Sequence, residues 1–420
     1  MTSQDINLTD ATSLLTTDKE SVNKKSTNQE SVDIASFDMA AITDTAQLPQ
    51  PALALAPLMQ ATYKTNAEDF VVNEVLPLDL TGEGEHLWLH IQKSGMNTAF
   101  LAKLLAEWAD IPLRDVGYSG LKDRHAITTQ WFSLRLPKKQ LPTTDFLPTD
   151  LGENETVQIL TQHWHNKKLN RGAHRANQFI ITLRDIKFEA ETSVVEYQQQ
   201  IQQHLEYISQ NGVPNYFGPQ RFGHGGNNIR EALRLFTQPP QTSSRTHKKD
   251  KSKRKRVPRE QNTMALSAAR SLIFNHILAA RVHDGSWDKG LAGEVFNLAG
   301  SGSIFSSEQL DETLRARLSD GDIHPTGVLW GVGNDKVSGT AAKIEEDIVQ
   351  QSWLLTQLAV GLEQRDIKAQ RRALRLPIEE MTWEWIDEQV LVLSFSLPTG
   401  SFATSVLASL VQQLQTPAVR

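Results

Sequence analysis

The 420-residue chain contains no cysteine. Disulfides, thiolate catalysis and metal sites with cysteine ligands are therefore excluded. The chain also lacks an apolar run near the ~20 residues that a membrane-spanning helix requires. Residues 1–30 show no basic start followed by an apolar stretch, and they carry acids, so we expect neither a signal peptide nor a transit peptide. These absences favour a cytoplasmic protein with no membrane partner.

What is present is typical of a globular protein, with 39% hydrophobic and 22% charged residues and a net charge of -6. The charge is unevenly distributed. Residues 1–50 hold eight acids against three lysines, and their lack of any period predicts a disordered acidic tail over 1–57. Residues 245–260 hold nine Lys or Arg against two acids, which indicates either a flexible loop or a phosphate-binding segment.

Strand and helix patterns occupy different parts of the chain. Alternation predicts strands within 69–184 and 383–397. Helical spacing predicts helices over 97–108, 192–210, 264–283, 341–375 and 402–414. The middle of the chain is thus predicted as loop and helix, inserted between two strand-rich segments. This order favours an α/β (α+β) fold whose first domain is split by a second domain at about 212–376.

The loop between the predicted strands 116–118 and 130–136 carries one carboxylate between two cations, in the order Lys122, Asp123, Arg124. Neighbouring positive charge lowers the pKa of a carboxyl group and keeps it ionised. An ionised carboxylate serves as a nucleophile or as an electrostatic stabiliser. The alternative interpretation is a surface turn with solvated charges.

Residues 163–175 combine four Lys or Arg with tryptophan, histidine and asparagine, and they contain no acid. Such a mixture suits RNA, whose phosphates attract cations and whose bases stack or accept hydrogen bonds, and it also suits a plain solvated surface. His163, His165 and His174 have no nearby carboxylate to complete a ligand set, so no metal site is predicted.

Residues 212–226 contain five glycines and two prolines. The segment matches neither phosphate-loop pattern, and no nucleophile elbow occurs in the chain, so no nucleotide cofactor is expected. It is either a hinge between domains or a functional loop, since it offers stacking and hydrogen-bonding groups in Asn215, Tyr216, Phe217, Gln220 and Arg221.

Taken together, these segments resemble the TruD family of tRNA pseudouridine synthases. The order and spacing agree from about residue 60 to residue 410. The resemblance is carried by residues 68–74, 82–86, 120–126, 130–132, 177–179, 212–223, 266–271 and 397–406, in which the strings GVPNYFGPQRFG and GSFATS are the most specific.

The resemblance implies a pseudouridine synthase catalytic domain with a mixed, mostly antiparallel sheet over 58–211 and 377–420. It also implies an inserted α/β TRUD domain over 212–376 with a basic loop at 240–260. It implies isomerisation of uridine to pseudouridine in tRNA, typically at uridine-13 of the D arm. The nucleophile falls on Asp123, and the uracil-contacting positions fall on Phe70, Asn177, Phe179 and Phe402. Taken singly, each of these phenylalanines is typical of a core residue.

No cofactor and no metal are expected, because the isomerisation needs no redox change and no energy input. The expected partner is tRNA, and we expect a monomer. Two alternatives remain open. One is an RNA-binding or RNA-folding module whose catalysis is secondary or lost. The other is a nucleoside or glycoside hydrolase, which normally requires a second carboxylate opposed to the first.

Overall fold

The computed structural model describes residues 60–77, 79–146, 148, 151–188, 193–237 and 259–416. The predicted acidic tail at 1–57 and the predicted basic loop, as far as residue 258, lie outside the described residues.

The elements follow one another in two stretches of chain. The first contains β1 (Gln60–Thr62), β2 (Phe70–Val75), β3 (His86–Ser94), α1 (Thr98–Trp108), β4 (Val116–Tyr118), β5 (Ile127–Arg135), β6 (Thr156–His165), β7 (Ala176–Lys187), α2 (Val194–Asn211), β8 (Val213–Pro214) and α3 (Asn227–Thr237). The second contains α4 (Arg259–His283), β9 (Val295–Leu298), β10 (Ile304–Ser306), α5 (Glu312–Ser319), β11 (Ile323–Leu329), α6 (Gly339–Gln351), α7 (Trp353–Gln364), β12 (Gln370–Ala373), β13 (Arg375–Leu376), β14 (Glu379–Asp387), β15 (Val390–Pro398), α8 (Ala403–Ala408) and β16 (Gln413–Gln415).

A ten-stranded sheet draws strands from both strand-rich segments. Its main path is β14-β15-β7-β2-β5-β3-β6, with β1 added on β7, β16 added on β1, and β4 added on β5. Within it, β2 pairs with β5 and β1 pairs with β16 in parallel, and the other pairings are antiparallel. The predicted mixed, mostly antiparallel sheet with flanking helices is therefore confirmed.

The burial of the central strands explains their sequences. In β2, Phe70, Val72 and Glu74 are buried and alternate with residues that are more exposed. This alternation is typical of a strand that places one face on a core. One continuous core cluster contains residues of β2, β7 and β15 together with residues of α2, α3, α4 and α7. A second cluster packs α1 against β3 and β5.

Helix α2 shows how local chemistry fixes an element boundary. The Ser193 hydroxyl accepts a hydrogen bond from the Glu196 N–H, and the Glu196 carboxylate accepts one from the Ser193 N–H, so the helix begins with a capping box. It ends at Gly212, whose φ of 71° is readily available only to glycine. A Cβ atom at Gly212 would lie 2.3 Å from the Leu376 carbonyl oxygen, so the position also requires the absence of a side chain.

The middle of the chain departs from the prediction of loop and helix. It contains a four-stranded sheet in the order β10-β9-β11-β12 and a two-stranded pair, β13 with β8. The helix predicted over 341–375 is wrong beyond Gln364, because the following segment pairs as β12 with β11. Glutamine, arginine, alanine and leucine there have high helix propensity, which the tertiary pairing overrides.

The helix predicted over 402–414 is also wrong in extent. Helix α8 covers only Ala403–Ala408, and Phe402 stands at its N-cap position. The chain then turns and forms β16, which pairs in parallel with β1 and extends the ten-stranded sheet. The partner strand lies about 350 residues earlier in the chain, so local periodicity gives no signal of this pairing.

Candidate active site

Three of the five predicted site residues share one face of the ten-stranded sheet. Directly paired residues of neighbouring strands point to the same side of a sheet, and each strand alternates with a period of two. The register pairs Val72 with Phe179 and Glu74 with Asn177. Phe70 stands two residues before Val72 and therefore points to the same side.

The loop 119–126 leaves β4, crosses this face and enters β5. Near its start, the Ser119 hydroxyl donates a hydrogen bond to Glu74 Oε2 at 2.6 Å. Further along, the carboxylate of Asp123 forms an ion pair with Lys64. The turn predicted as a carrier of chemistry is therefore fixed at both positions over the face that holds Phe70, Asn177 and Phe179.

The carboxylate of Asp123 is held by two donors. Oδ2 accepts from Lys64 Nζ, and Oδ1 accepts from the His125 backbone N–H at 3.0 Å. Burial alone raises the pKa of the Asp123 carboxyl, but the hydrogen bonds and charges of Lys64 and His125 together outweigh it and hold this pKa below its ordinary value. The side chain is 36% exposed. The site thus presents an ionised carboxylate that a substrate can reach.

Lys64 is placed by a strained backbone. Its φ of 58° lies in the left-handed region, which non-glycine residues rarely adopt. The preceding Tyr63 N–H donates to the Gln415 carbonyl at 3.0 Å, so the last described strand anchors this turn. Lys64 Nζ also lies 4.2 Å from the centroid of the Phe70 ring. One cation therefore joins Asp123 to Phe70.

A second lysine, Lys93, supports the backbone of the loop 119–126 from the protein interior. It is fully buried, and its Nζ donates to the carbonyl of Met96 at 2.7 Å and to that of Asp123 at 3.2 Å. Burial lowers the pKa of Lys93 to about 8, against the opposing effect of the Asp123 charge. The backbone of the loop is thus tied to the sheet at the same residue whose side chain Lys64 holds.

A buried network fixes Asn177. Lys122 Nζ donates to Glu74 Oε2 and to Asn177 Oδ1, both at 2.8 Å, and Glu74 Oε1 accepts from the Trp131 N–H at 3.2 Å. The Asn177 amide nitrogen lies 3.3 Å from His174 Nε2. An ammonium group can only donate, so Lys122 holds the amide oxygen of Asn177 and leaves N–H as the group it can offer to a ligand.

The aromatic members of the site are also core residues. The ring centroids of Phe70 and Phe179 lie 6.1 Å apart in an edge arrangement, and that of Phe395 lies 5.6 Å from Phe179. Phe70 and Phe179 are only 6% and 7% exposed. They therefore form the base of the candidate site beside the Lys64–Asp123 pair, and they also pack in the hydrophobic core.

Phe402 lies in a different group of side chains. Its ring centroid is 6.3 Å from that of Phe217 and 5.7 Å from Cζ of Arg221. Within the described residues, no ring contact joins it to Phe70 or Phe179. The contacts thus link four of the five predicted site residues, and they place the fifth with the glycine-rich segment.

A cavity of about 430 Å³ lies next to both groups. It is lined at one side by Tyr63, the neighbour of Lys64, and at another by Thr404, two residues after Phe402. Burial, and then the charge of Asp123, raise the pKa of the Tyr63 hydroxyl. None of the five predicted site residues lines this cavity.

Sequence reasoning did not identify four residues that support the site: Lys64, Glu74, Lys93 and Lys122. Lys122 lies inside the predicted loop, and Glu74 falls on the buried side of the alternation in β2, so both had a signal. A charged residue on the buried side of a strand requires a partner. Lys64 had no such signal, because its contact with Asp123 depends on a turn 59 residues earlier in the chain.

The basic segment 163–175 is partly structural. His165 is buried and its Nδ1 accepts from the Thr81 N–H at 3.2 Å. The guanidinium of Arg171 covers the ring of Tyr118, with Cζ 3.7 Å from its centroid. Across the described ranges, no group of three or more histidine or acidic side chains is placed to hold a metal ion. No helix in those ranges is both long and apolar enough to cross a membrane.

Comparisons with known proteins agree on one family. The family model of tRNA pseudouridine synthase D (TruD) matches residues 54–230 and 227–410. The chain is 71% identical over 387 residues to tRNA pseudouridine synthase D of Psychrobacter arcticus, which covers 89% of this chain and 95% of that protein. It is 43% identical over 352 residues to the protein of the same name from Xanthomonas campestris pv. campestris (strain B100), and this match covers 84% of this chain and 91% of that protein.

A solved structure shows the same fold. The crystal structure described as that of TruD from Methanosarcina mazei superposes with a TM-score of 0.65 at 21% sequence identity, covering 89% of this chain and 98% of that one. The family model and the relatives define the class, which is an isomerase of the pseudouridine synthase type. Within that class, the chain belongs to the TruD family, that of tRNA pseudouridine synthase D.

Proposed function

We propose that this protein converts uridine to pseudouridine in tRNA at uridine-13 of the D arm, with Asp123 as the nucleophile. The observation that carries the proposal is the ionised carboxylate of Asp123, anchored by Lys64 beside Phe70 and left partly exposed. The choice of uridine-13 follows from the family resemblance. The partner is tRNA, without a membrane or a nucleotide cofactor, and the enzyme acts as a cytoplasmic monomer.

The reaction is an isomerisation in which atoms balance within the substrate. The bond between N1 and C1′ breaks, the base rotates, and C5 bonds to C1′, while the proton on C5 is lost and N1 gains one. Asp123 attacks C1′ or C6 and is released when the new bond has formed, or it assists the cleavage through an elimination. No external oxidant, reductant or nucleotide is consumed.

The target uridine leaves its stack to reach the carboxylate, because a base inside a helix is covered on both faces. Phe70 and Phe179 provide apolar surface for the free base on one side, and Phe402 approaches from the other group of side chains. The amide N–H of Asn177, whose oxygen is held by Lys122, donates to a uracil carbonyl. The proposal thus gives every predicted site residue a task, which Phe70 and Phe179 share.

Two further assignments belong to the same proposal. Residues 58–211 and 377–420 form the catalytic domain, and 212–376 form the inserted TRUD domain. The ten-stranded sheet takes strands from both parts of the first, and the four-stranded sheet lies within the second, which supports this division.

The site favours an isomerase over a hydrolase. A hydrolase of the glycosidase type needs a second carboxylate opposed to the first. Glu74, the buried carboxylate on this face, is occupied by Lys122, Ser119 and the Trp131 N–H.

The test compares Asp123→Ala and Asp123→Asn with the wild type in pseudouridine mapping of tRNA. Both variants are expected to lose turnover on the order of 10³-fold or more while they retain RNA binding. Asp145→Asn, an exposed aspartate, is the control and is expected to match the wild type. Wild-type turnover by Asp123→Ala would refute the assignment. Free uracil among the products would indicate a hydrolase, and cellular rescue by the inactive variants would indicate an RNA-folding role.

A further inference from the structure

Two arginines flank a single phenylalanine next to Phe402. Cζ of Arg372, on β12, lies 4.2 Å from the ring centroid of Phe217, and Cζ of Arg221 lies 5.2 Å from the same point. Arg221 also lies 5.7 Å from the Phe402 ring. Two positive groups thus meet beside the proposed uracil-contacting position, although they come from segments about 150 residues apart.

The partners of these two guanidinium groups are all neutral. Arg372 donates to Asn215 Oδ1 at 2.5 Å and to the Gly400 carbonyl at 3.4 Å. Arg221 donates to Ser267 Oγ at 3.1 Å. No carboxylate among the described residues lies within ion-pairing distance of either group, and the Nε atom of each has no hydrogen-bond partner there. Each guanidinium carries five N–H donors, so most of them are unused.

Like charges packed together in a partly buried place are unfavourable unless an anion joins them. Burial, and then the charge of Arg221, lower the pKa of Arg372 to about 9. Burial also lowers the pKa of Arg221. Both residues are partly exposed, while the Nε atom of each is buried. The absence of a protein anion at this position is therefore consistent with an anion supplied by a ligand.

We propose that Arg221 and Arg372 form a binding site for one phosphodiester group of the RNA substrate, adjacent to the target uridine. The inference rests on the proposed function, which supplies RNA as the ligand at Phe402. The anionic groups of RNA are its phosphates, and planar guanidinium forks match phosphate oxygens well. The site fixes the backbone of the extruded nucleotide while Phe402 contacts its base.

The first test is the salt dependence of RNA binding. Arg221→Gln is expected to bind tRNA about tenfold or more weakly, and to reduce the slope of log affinity against log salt by about 0.7 to 0.9, the effect of one lost phosphate contact. The rise in KM is expected to exceed the fall in kcat, because the contact exists before and during the reaction. Arg221→Lys keeps the positive charge but loses the planar guanidinium group. Its affinity for tRNA is expected to lie between that of the wild type and that of Arg221→Gln.

The control variant is Arg234→Gln. Arg234 is an exposed arginine on α3 that is paired with Glu231, so its removal costs the same formal charge away from the site. It is expected to retain wild-type affinity and slope. Thermal unfolding of each variant identifies any that fails to fold. Arg221→Gln with wild-type affinity and slope would overturn the proposal.

The second test neutralises the ligand instead of the protein. Methylphosphonate is placed at each linkage around the target uridine in turn. One linkage is expected to weaken binding by the wild type more than it weakens binding by Arg221→Gln, because the variant has already lost one of the two arginine contacts to that phosphate. Independent, additive losses at every linkage would count against the site.

The experiment separates this proposal from the proposed function. If the wild type forms no pseudouridine in any tRNA, the proposed function fails whatever the arginines do. If the wild type is active but Arg221→Gln matches it in KM and salt slope, only the phosphate site fails. If inorganic phosphate stabilises the wild type and not Arg221→Gln, while their RNA slopes agree, the site binds a free anion and the RNA assignment is wrong.

Discussion

Replacing Lys64 with methionine isolates the force that keeps Asp123 ionised. The wild-type carboxylate is stabilised by the ammonium of Lys64 against a burial effect that favours protonation. Methionine keeps most of the apolar contact with Phe70 and removes the charge. The pKa of Asp123 is therefore expected to rise, and the acid limb of the pH–rate profile is expected to move upward with it.

The size of the shift follows from the geometry. A hydrogen bond to a charged group contributes about 1.5 to 3 kcal/mol. Because Asp123 is 36% and Lys64 18% exposed in their side chains, solvent screening favours the lower end of that range. A loss of about 1.4 kcal/mol corresponds to about one pH unit. The deficit of the variant should therefore grow as the pH falls from neutral, where the carboxylate of both proteins is ionised.

The assay is single-turnover pseudouridine formation at saturating tRNA from pH 4.5 to 8, with circular dichroism at each pH to confirm folding. Lys64→Arg keeps the charge and is expected to retain the wild-type limb. Lys139→Met is the matched control, since Lys139 is an exposed lysine that also has a left-handed backbone, with φ of 51°. Coincident acid limbs for Lys64→Met and the wild type would refute the reasoning.

Three further predictions concern stability. Lys122→Met leaves the buried Glu74 carboxylate without its cation and is expected to reduce the free energy of unfolding by about 3 kcal/mol in urea titration, with partial recovery in the double variant with Glu74→Gln. His324 is buried, and burial lowers its pKa to about 4. The unfolded chain therefore binds the proton at a higher pH than the folded chain, and the free energy of unfolding should fall by about 2 to 3 kcal/mol as the pH drops from 6.5 to 4. His324→Phe is expected to remove this loss. Gly212→Ala should cost at least about 2 kcal/mol, since it places Cβ against the Leu376 carbonyl in a left-handed conformation, and unchanged thermal unfolding would contradict this.

The strands that carry the site were predictable because each has a clear local signal. The alternation within β2, Phe70–Val75, is visible in the sequence, and the strand predicted over 116–118 matches β4. Their burial on one side gives a period of two that needs no knowledge of the partner strand. The loop between β4 and β5 was identified by charge alone, and the structure places its aspartate among the expected residues.

The predictions from the sequence fail where contacts between distant segments determine the secondary structure or the role of a residue. Residues 370–373 have a helix-forming composition and become a strand because β11 offers an open edge. The role of Lys64 depends on its contact with Asp123, which lies 59 residues away in the chain. The role of Arg372 depends on its proximity to Arg221, which lies about 150 residues away. No pattern in the sequence near either residue distinguishes it from an ordinary surface cation.

The pairing of β1 with β16 has a consequence for folding during synthesis of the enzyme. Lys64 follows β1 directly, and its turn is held by a hydrogen bond from Tyr63 to Gln415. During synthesis, residue 63 leaves the ribosome long before residue 415 has been made. The cation that pairs with Asp123 therefore acquires its final place only after residue 415 has emerged, so the proposed nucleophile lacks its partner while the residues between them are being made.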